Sequence, residues 1–288
     1  MKRFGALALA AFMGGLAATT AMAEGVAGKP VDAGHHFQRA VTPVMEDIVW
    51  LDDFLHVIIF LIVVFVTALL GVCIFKYNRE SNPEPATFTH NTTIEVIWTA
   101  APVLILIVIA IPSVQLLFKQ LEVPEPDVTI KATGHQWYWS YEYPDENVEF
   151  EAFMIGQGAP KLTEEVKTEL AEYGYNEDEF LLATDERVIV PVGATVHVLV
   201  TASDVIHAWT IPSFGSKIDA MPGRINETWF QANEPGVYFG QCSELCGKDH
   251  SYMPIVVEVV SQDDYDTWIL EMASRDDAPK TRLAAATE

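Results

Sequence analysis

The stretch Thr195–Thr201, TVHVLVT, sets Val196, Val198 and Val200 against His197, Leu199 and Thr201 in strict alternation. A period of two places alternate side chains on opposite faces of a strand, and β-branched valine suits a pleated, packed surface. With Leu199 on the second face, the pattern predicts a largely buried strand. Similar short stretches lie on both sides of it. VTIKATG, QWYWSYEY, VEFEAFM and RVIVP come before, and HAWTIP, ETWFQA, GVYFGQ and MPIVVEVV after. Gly and Pro punctuate them, so residues 122–273 are expected to form an all-β sandwich or barrel. Leu162 to Glu179 is acidic and lacks strand alternation, which predicts an inserted helix or surface loop. An amphipathic helix is expected near Asp263–Ala273, followed by a polar tail over 274–288. No internal repeat is visible.

The chain ahead of this region is of another kind. Lys2 and Arg3, the apolar Phe4–Leu16 and the Ala21-Met22-Ala23 triplet have the layout of a secretory signal peptide over residues 1–23. Residues 24–121 then hold two apolar runs, expected to span a membrane at about 54–76 and 95–118. The run from Val57 to Phe75 carries no charge, and its length is about that of a bilayer core of roughly 30 Å. Pro102 and Pro112 in the second run are tolerated between packed membrane helices. Lys76 and Arg79 fall in the short loop between the runs, which puts that loop in the cytoplasm and everything after Leu121 outside.

The outer part is strongly acidic: residues 121–288 hold 31 Asp and Glu against 10 Lys and Arg, almost all of the net charge of −23. Such a field repels nucleic acid and anionic lipid and speeds encounter with a basic partner.

The chemistry concentrates in Gly240–Pro254, GQCSELCGKDHSYMP, with Cys242-x3-Cys246-x3-His250-x2-Met253 and with His207 upstream in SDVIHAWTIP. Four arrangements use these residues. A Cys242–Cys246 disulfide is possible outside the cytoplasm but leaves His250 and Met253 unexplained. A structural zinc site on His207, Cys242, Cys246 and His250 has no use for Met253. A blue-copper site on His207, Cys246, His250 and Met253 leaves Cys242 over. Two thiolates that each bridge two copper ions, with one histidine per ion, use every soft donor. Cys73, inside the first span, reads as a packing residue. His35, His36, His56, His90, His135 and His197 show no ligand spacing, Gly156-Gln157-Gly158 follows no strand-to-helix pattern, and no nucleophile–base pair is apparent.

GHQWYWSYEY, DVIHAWTIPSFGSKIDAMPGR and GQCSELCGKDHSYMPIV together resemble subunit II of the haem–copper cytochrome c oxidases, in its bacterial form, over nearly the whole processed chain. Related quinol oxidase subunits share the fold but lack the copper ligands, whereas every ligand position is filled here. The resemblance implies a cupredoxin-like Greek-key sandwich anchored by a two-helix transmembrane hairpin. It implies a bacterial inner-membrane protein with the copper domain in the periplasm, in complex with subunits I and III. Its partner would be cytochrome c, whose electrons pass to haem in subunit I, where oxygen is reduced and protons are pumped. By this resemblance Cys242 and Cys246 bridge the two coppers of a CuA centre, and His207 and His250 bind one each. Met253 and the backbone carbonyl of Glu244 are the weak ligands, and the Glu244 side chain reaches a magnesium ion shared with subunit I. Trp137 is where electrons come in, Glu142, Glu151, Asp185 and Asp204 attract cytochrome c, and Glu95 stands at the mouth of a proton path. A membrane-tethered copper-delivery protein is the alternative from another class, and a subunit holding structural zinc or a disulfide is a third.

Overall fold

The computed structural model describes residues 27–156 and 161–276. The segment 1–23 expected to be a signal peptide, Gly158 and most of the polar tail lie outside the described residues. Helices α1 (Pro43–Lys76) and α2 (Thr92–Leu121) come first. Strands β1 (Val128–His135), β2 (Tyr138–Tyr143) and β3 (Val148–Ala152) precede helix α3 (Glu164–Glu172). Strands β4 (Val188–Pro191), β5 (Thr195–Ala202), β6 (His207–Ile211), β7 (Ser216–Ala220), β8 (Asn226–Gln231), β9 (Gly236–Gln241) and β10 (Pro254–Val260) follow, and helix α4 (Gln262–Asp276) comes last. The hairpin of residues 46–122 and the rest of the chain are two compact units.

In the hairpin, α1 has 34 residues and α2 has 30, about 51 and 45 Å at 1.5 Å per residue. Most apolar side chains along both are exposed, Phe65 and Leu104 by 62% each. Apolar surface on that scale is stable only against lipid or partner helices, with every backbone group bonded inside the helix. Asn91 caps α2 by accepting a hydrogen bond from the Ile94 amide, and the helix continues through Pro102 and Pro112. Near the other end Lys119 pairs with Asp47 of α1 at 2.5 Å.

The other unit is a β-sandwich. Its larger sheet runs β3-β2-β1-β5-β8, with β1 and β5 parallel and the other pairs antiparallel. A second sheet runs β4-β10-β9, and β6 pairs with β7 as a separate ribbon. TVHVLVT forms most of β5: Val196, Val198 and Val200 are buried, while His197, Leu199 and Thr201 are half-buried. The three valines meet Ile130, Trp139, Tyr141 and Phe230 of the same sheet and Val190, Ile255 and Val257 of the opposite one in a single core. Each fully buried aliphatic side chain there stabilises the fold by roughly 1.5–3 kcal/mol. Tyr143 ties the sheets together, since its hydroxyl donates to the Ile189 carbonyl at 2.9 Å and accepts from the Ile189 amide at 3.1 Å.

Residues 27–42 run along the sandwich. The Gly28 carbonyl accepts from the Phe239 amide, and Val41 exchanges backbone hydrogen bonds with Ser213 and Asn233. The acidic insertion forms α3, capped by Thr163, and a 3-10 turn at Glu177–Glu179. Val166 and Leu170, one helical turn apart, pack with Ile155, Tyr175 and Phe239. Arg187 fastens the insertion to the sandwich, donating to the Tyr175 hydroxyl at 2.7 Å, the Tyr173 carbonyl and Glu258 at 2.9 Å.

Candidate metal centre

His207 is the first residue of β6, and its side chain is completely buried. The remaining donors come from the loop between β9 and β10, whose sequence turns back on itself within twelve residues. The Cys242 amide donates to the Met253 carbonyl at 3.3 Å, which closes the base of the loop, and the Ser243 amide donates to Ala208 of β6 at 3.1 Å. Gly240 lets β9 lie against β6, because a methyl group there would collide with the Thr210 carbonyl oxygen.

Six donors converge as a result. The Cys242 and Cys246 sulfurs lie 3.8 Å apart. His207 Nδ1 is 3.8 Å from the Cys242 sulfur, and His250 Nδ1 is 3.5 Å from the Cys246 sulfur. Met253 Sδ is 3.5 Å from the Cys246 sulfur, and the Glu244 carbonyl oxygen is 3.3 Å from the Cys242 sulfur. Ligand atoms of His207, Cys242 and Cys246 all lie within 4.8 Å of one another. Both cysteines are free thiols, so the disulfide alternative is not formed.

The electrostatics favour one thiolate and resist two. Burial disfavours the Cys242 thiolate, but hydrogen bonds from His207 and the Ala208 backbone outweigh it and bring the thiol down to about 7. Burial and the neighbouring Cys242 charge push Cys246 up to about 12. A cation between the two sulfurs would offset that repulsion. The 3.8 Å gap between the sulfurs is one that metal–sulfur bonds of about 2.3 Å can bridge. Two thiolates, two imidazoles and a buried thioether are the soft set that copper prefers, and Met253 adds a donor beyond the four that structural zinc takes.

Trp137 follows β1 and is half-buried beside the loop. Its Nε1 donates to the Cys246 carbonyl at 3.2 Å, and Lys248 lies 5.4 Å from the ring centroid. Gln136 donates to the same carbonyl at 2.8 Å, a contact that no local pattern marked. Glu142, Glu151 and Asp185 line one open cleft of about 700 Å³ beside Glu149 and Glu186. Glu142 pairs with Lys131 at 2.7 Å, and Asp185 accepts from the Phe153 and Glu186 amides at 2.8 Å each. Asp204 does not line that cleft. It lies against His207, with Oδ1 2.9 Å from Nε2 of the ring. Glu95 is in the first turn of α2, where its carboxylate accepts from the Asn91 amide at 3.3 Å.

The family model for the periplasmic domain of cytochrome c oxidase subunit II matches residues 128–260, and the model for its transmembrane domain matches residues 30–116. The chain belongs to the cytochrome c oxidase subunit II family. Cytochrome c oxidase subunit 2 of Cereibacter sphaeroides is 50% identical over 262 residues, covering 88% of this chain and 86% of that one. A probable subunit 2 of Rickettsia bellii is 45% identical over 91% of this chain and 90% of its own. Among solved structures, the periplasmic domain of subunit II of cytochrome oxidase of Bradyrhizobium japonicum is 45% identical. It covers 54% of this chain and 99% of its own, with a TM-score of 0.45. As a member of the subunit II family the chain is a subunit of the oxidase complex and a membrane protein with a periplasmic domain. His207, Cys242 and Cys246 form a group suited to copper.

Proposed function

We propose that this chain is the subunit that receives single electrons from cytochrome c and delivers them to haem in subunit I, at the bacterial inner membrane and alongside subunit III. A dinuclear CuA centre held by His207, Cys242, Cys246 and His250, with Met253 and the Glu244 carbonyl as weak ligands, would supply the one-electron store. The observation that carries this reading is the second cysteine. The Cys242 sulfur lies 3.8 Å both from the Cys246 sulfur and from His207 Nδ1, while Cys246 faces His250 and Met253. A single-copper site would leave one of these thiols without a task.

The chain's own residues support the rest. Trp137 donates to the carbonyl of Cys246, so an indole at the surface is in hydrogen-bonded contact with a ligand residue. Glu142, Glu151 and Asp185 in one cleft offer negative charge to a basic partner, and we assign Asp204 to the same docking role. The Glu244 side chain is exposed next to the site and is assigned to a magnesium ion shared with subunit I. Glu95, in the first turn of α2, is assigned to proton uptake coupled to pumping by the complex. Residues 1–23 are assigned to a signal peptide, 24–121 to the N-terminal segment with its hairpin, 122–273 to the copper domain and 274–288 to a tail.

Electron paramagnetic resonance of the purified oxidase and copper analysis of this chain expressed without subunit I test the proposal together. Two copper ions on this chain and hyperfine structure from one electron shared between them are expected; one copper, or zinc, refutes it.

A further inference from the structure

We propose that Asp204 is a positioning residue for the copper site, holding the His207 ring so that Nδ1 is presented to Cys242. This rests on the copper reading above and deepens it. The two ring nitrogens of His207 face different groups: Nδ1 faces the Cys242 sulfur at 3.8 Å, and Nε2 faces Asp204 Oδ1 at 2.9 Å. A carboxylate can only accept a hydrogen bond, so Nε2 keeps its proton toward Asp204 and Nδ1 is the nitrogen left to exchange its proton for a metal. The same partner that aims the ring therefore selects the tautomer able to bind a metal.

The carboxylate is itself fixed by the backbone. The Gln136 amide donates to Oδ2 at 2.7 Å and the Val205 amide donates to Oδ1 at 2.6 Å. The ring has little freedom on its other sides. A methyl group on Gly134 would come within 2.8 Å of the ring carbon Cδ2, and Trp139 meets the ring edge-on at a centroid distance of 6.0 Å. His250 differs: among the described residues its Nε2 has no hydrogen-bond partner, and the side chain is only half-buried. The site thus has one histidine anchored through a carboxylate and one anchored through the loop alone. Glu142, in contrast, pairs with Lys131 and touches no ligand. A docking charge needs only to be near the partner; Asp204 is bonded to the ligand ring itself.

The test uses the purified oxidase with Asp204→Ala, Asp204→Asn and Glu142→Gln. Copper per chain, copper affinity by chelator competition, the electron paramagnetic resonance spectrum and the midpoint potential are measured for each. Asp204→Ala is expected to bind copper about 10- to 100-fold more weakly, with altered histidine hyperfine structure and a raised potential. A tenfold loss confined to the oxidised form corresponds to about 59 mV for one electron. Asp204→Asn keeps an acceptor oxygen for Nε2 and is expected to retain the parent spectrum with a smaller rise. Glu142→Gln should leave affinity, spectrum and potential where they are. Parent values in Asp204→Ala would reduce Asp204 to a docking charge and overturn the proposal. Should that variant not assemble, an unshifted potential in Asp204→Asn overturns it instead. A parent enzyme without two coppers per chain sinks the copper reading first, and this one with it.

Discussion

His207 and the β9–β10 loop bring ligands to one place from opposite structural backgrounds. His207 opens a strand, is wholly buried, and is bounded by Gly134, Trp139 and Asp204. The loop alternates buried ligands with exposed neighbours: Cys242, Cys246 and Met253 are buried, while Leu245 between the cysteines is 77% exposed. It is held by the Cys242–Met253 and Ser243–Ala208 backbone bonds and by Gln136 and Trp137 on the Cys246 carbonyl. One half of the site is thus shaped by the core, and the other half is tethered to it at a few points. On the proposed copper reading, ions between the two sulfurs would offset the repulsion between thiolates in the loop.

The largest effect expected from this contrast is Cys246→Ser. The change deletes the thiol that faces Cys242, His250 and Met253 together, and hydroxyl oxygen is a poor partner for copper. The dinuclear spectrum should vanish and copper should fall below two per chain. The β-sandwich should persist by circular dichroism, because Cys246 lies outside every strand. Retention of two coppers with the shared-electron spectrum would show that the loop's thiolate pair is not the bridge.

A smaller effect is expected on the strand side. Gly134→Ala places a methyl group within 2.8–2.9 Å of His207 ring carbons. Overpacking of this kind costs about 1–3 kcal/mol, or about 2–4 °C per kcal/mol for a unit of this size. The melting temperature should drop and the copper spectrum should change with it, since the ring itself has to move. An unchanged spectrum would mean that the His207 half adapts as readily as the loop.

What could be read from the sequence divides along the same line. The strand TVHVLVT and the apolar spans were legible because one face of a sheet, or a whole helix in lipid, imposes a local pattern. The cysteine loop was legible because four donor side chains, Cys242, Cys246, His250 and Met253, fall within twelve residues. Strand β7 was missed: in Ser216–Ala220 the exposed Lys217 and the half-buried Asp219 flank Ile218, and only pairing with β6 makes the segment a strand. The insertion became readable as a helix once Thr163 was seen to cap it and Val166 and Leu170 to share one buried face. Contacts across long stretches of chain left no local trace. Gln136 reaches a carbonyl 110 positions away, and its amide meets Asp204 at a separation of 68. Asp204 could be read as negative charge; its bond to the ring spans only three positions, but the Gln136 amide that fixes the carboxylate is brought there by the pairing of β1 with β5.

The smallest effects concern the outer surface of the strand side. Glu142 on β2 is paired with Lys131 on β1, which offsets its charge, whereas Glu151 on β3 makes no ion pair among the described residues. If both attract a basic cytochrome c, removing the unpaired charge should matter more. Glu151→Gln is expected to lower kcat/KM at low salt by up to about fivefold, the effect of an interaction worth up to about 1 kcal/mol at an exposed site. Glu142→Gln should lower it less, because it leaves Lys131 without its partner but starts from a nearly neutral pair. Both differences should shrink between about 0.01 and 0.1 M salt, as the screening length falls from about 30 to about 10 Å. A rate that ignores ionic strength, or no loss in either variant, would mean that the acidic cleft does not steer the donor. The exposed carboxylates would then serve solubility, and recognition would rest on the apolar contacts around Trp137.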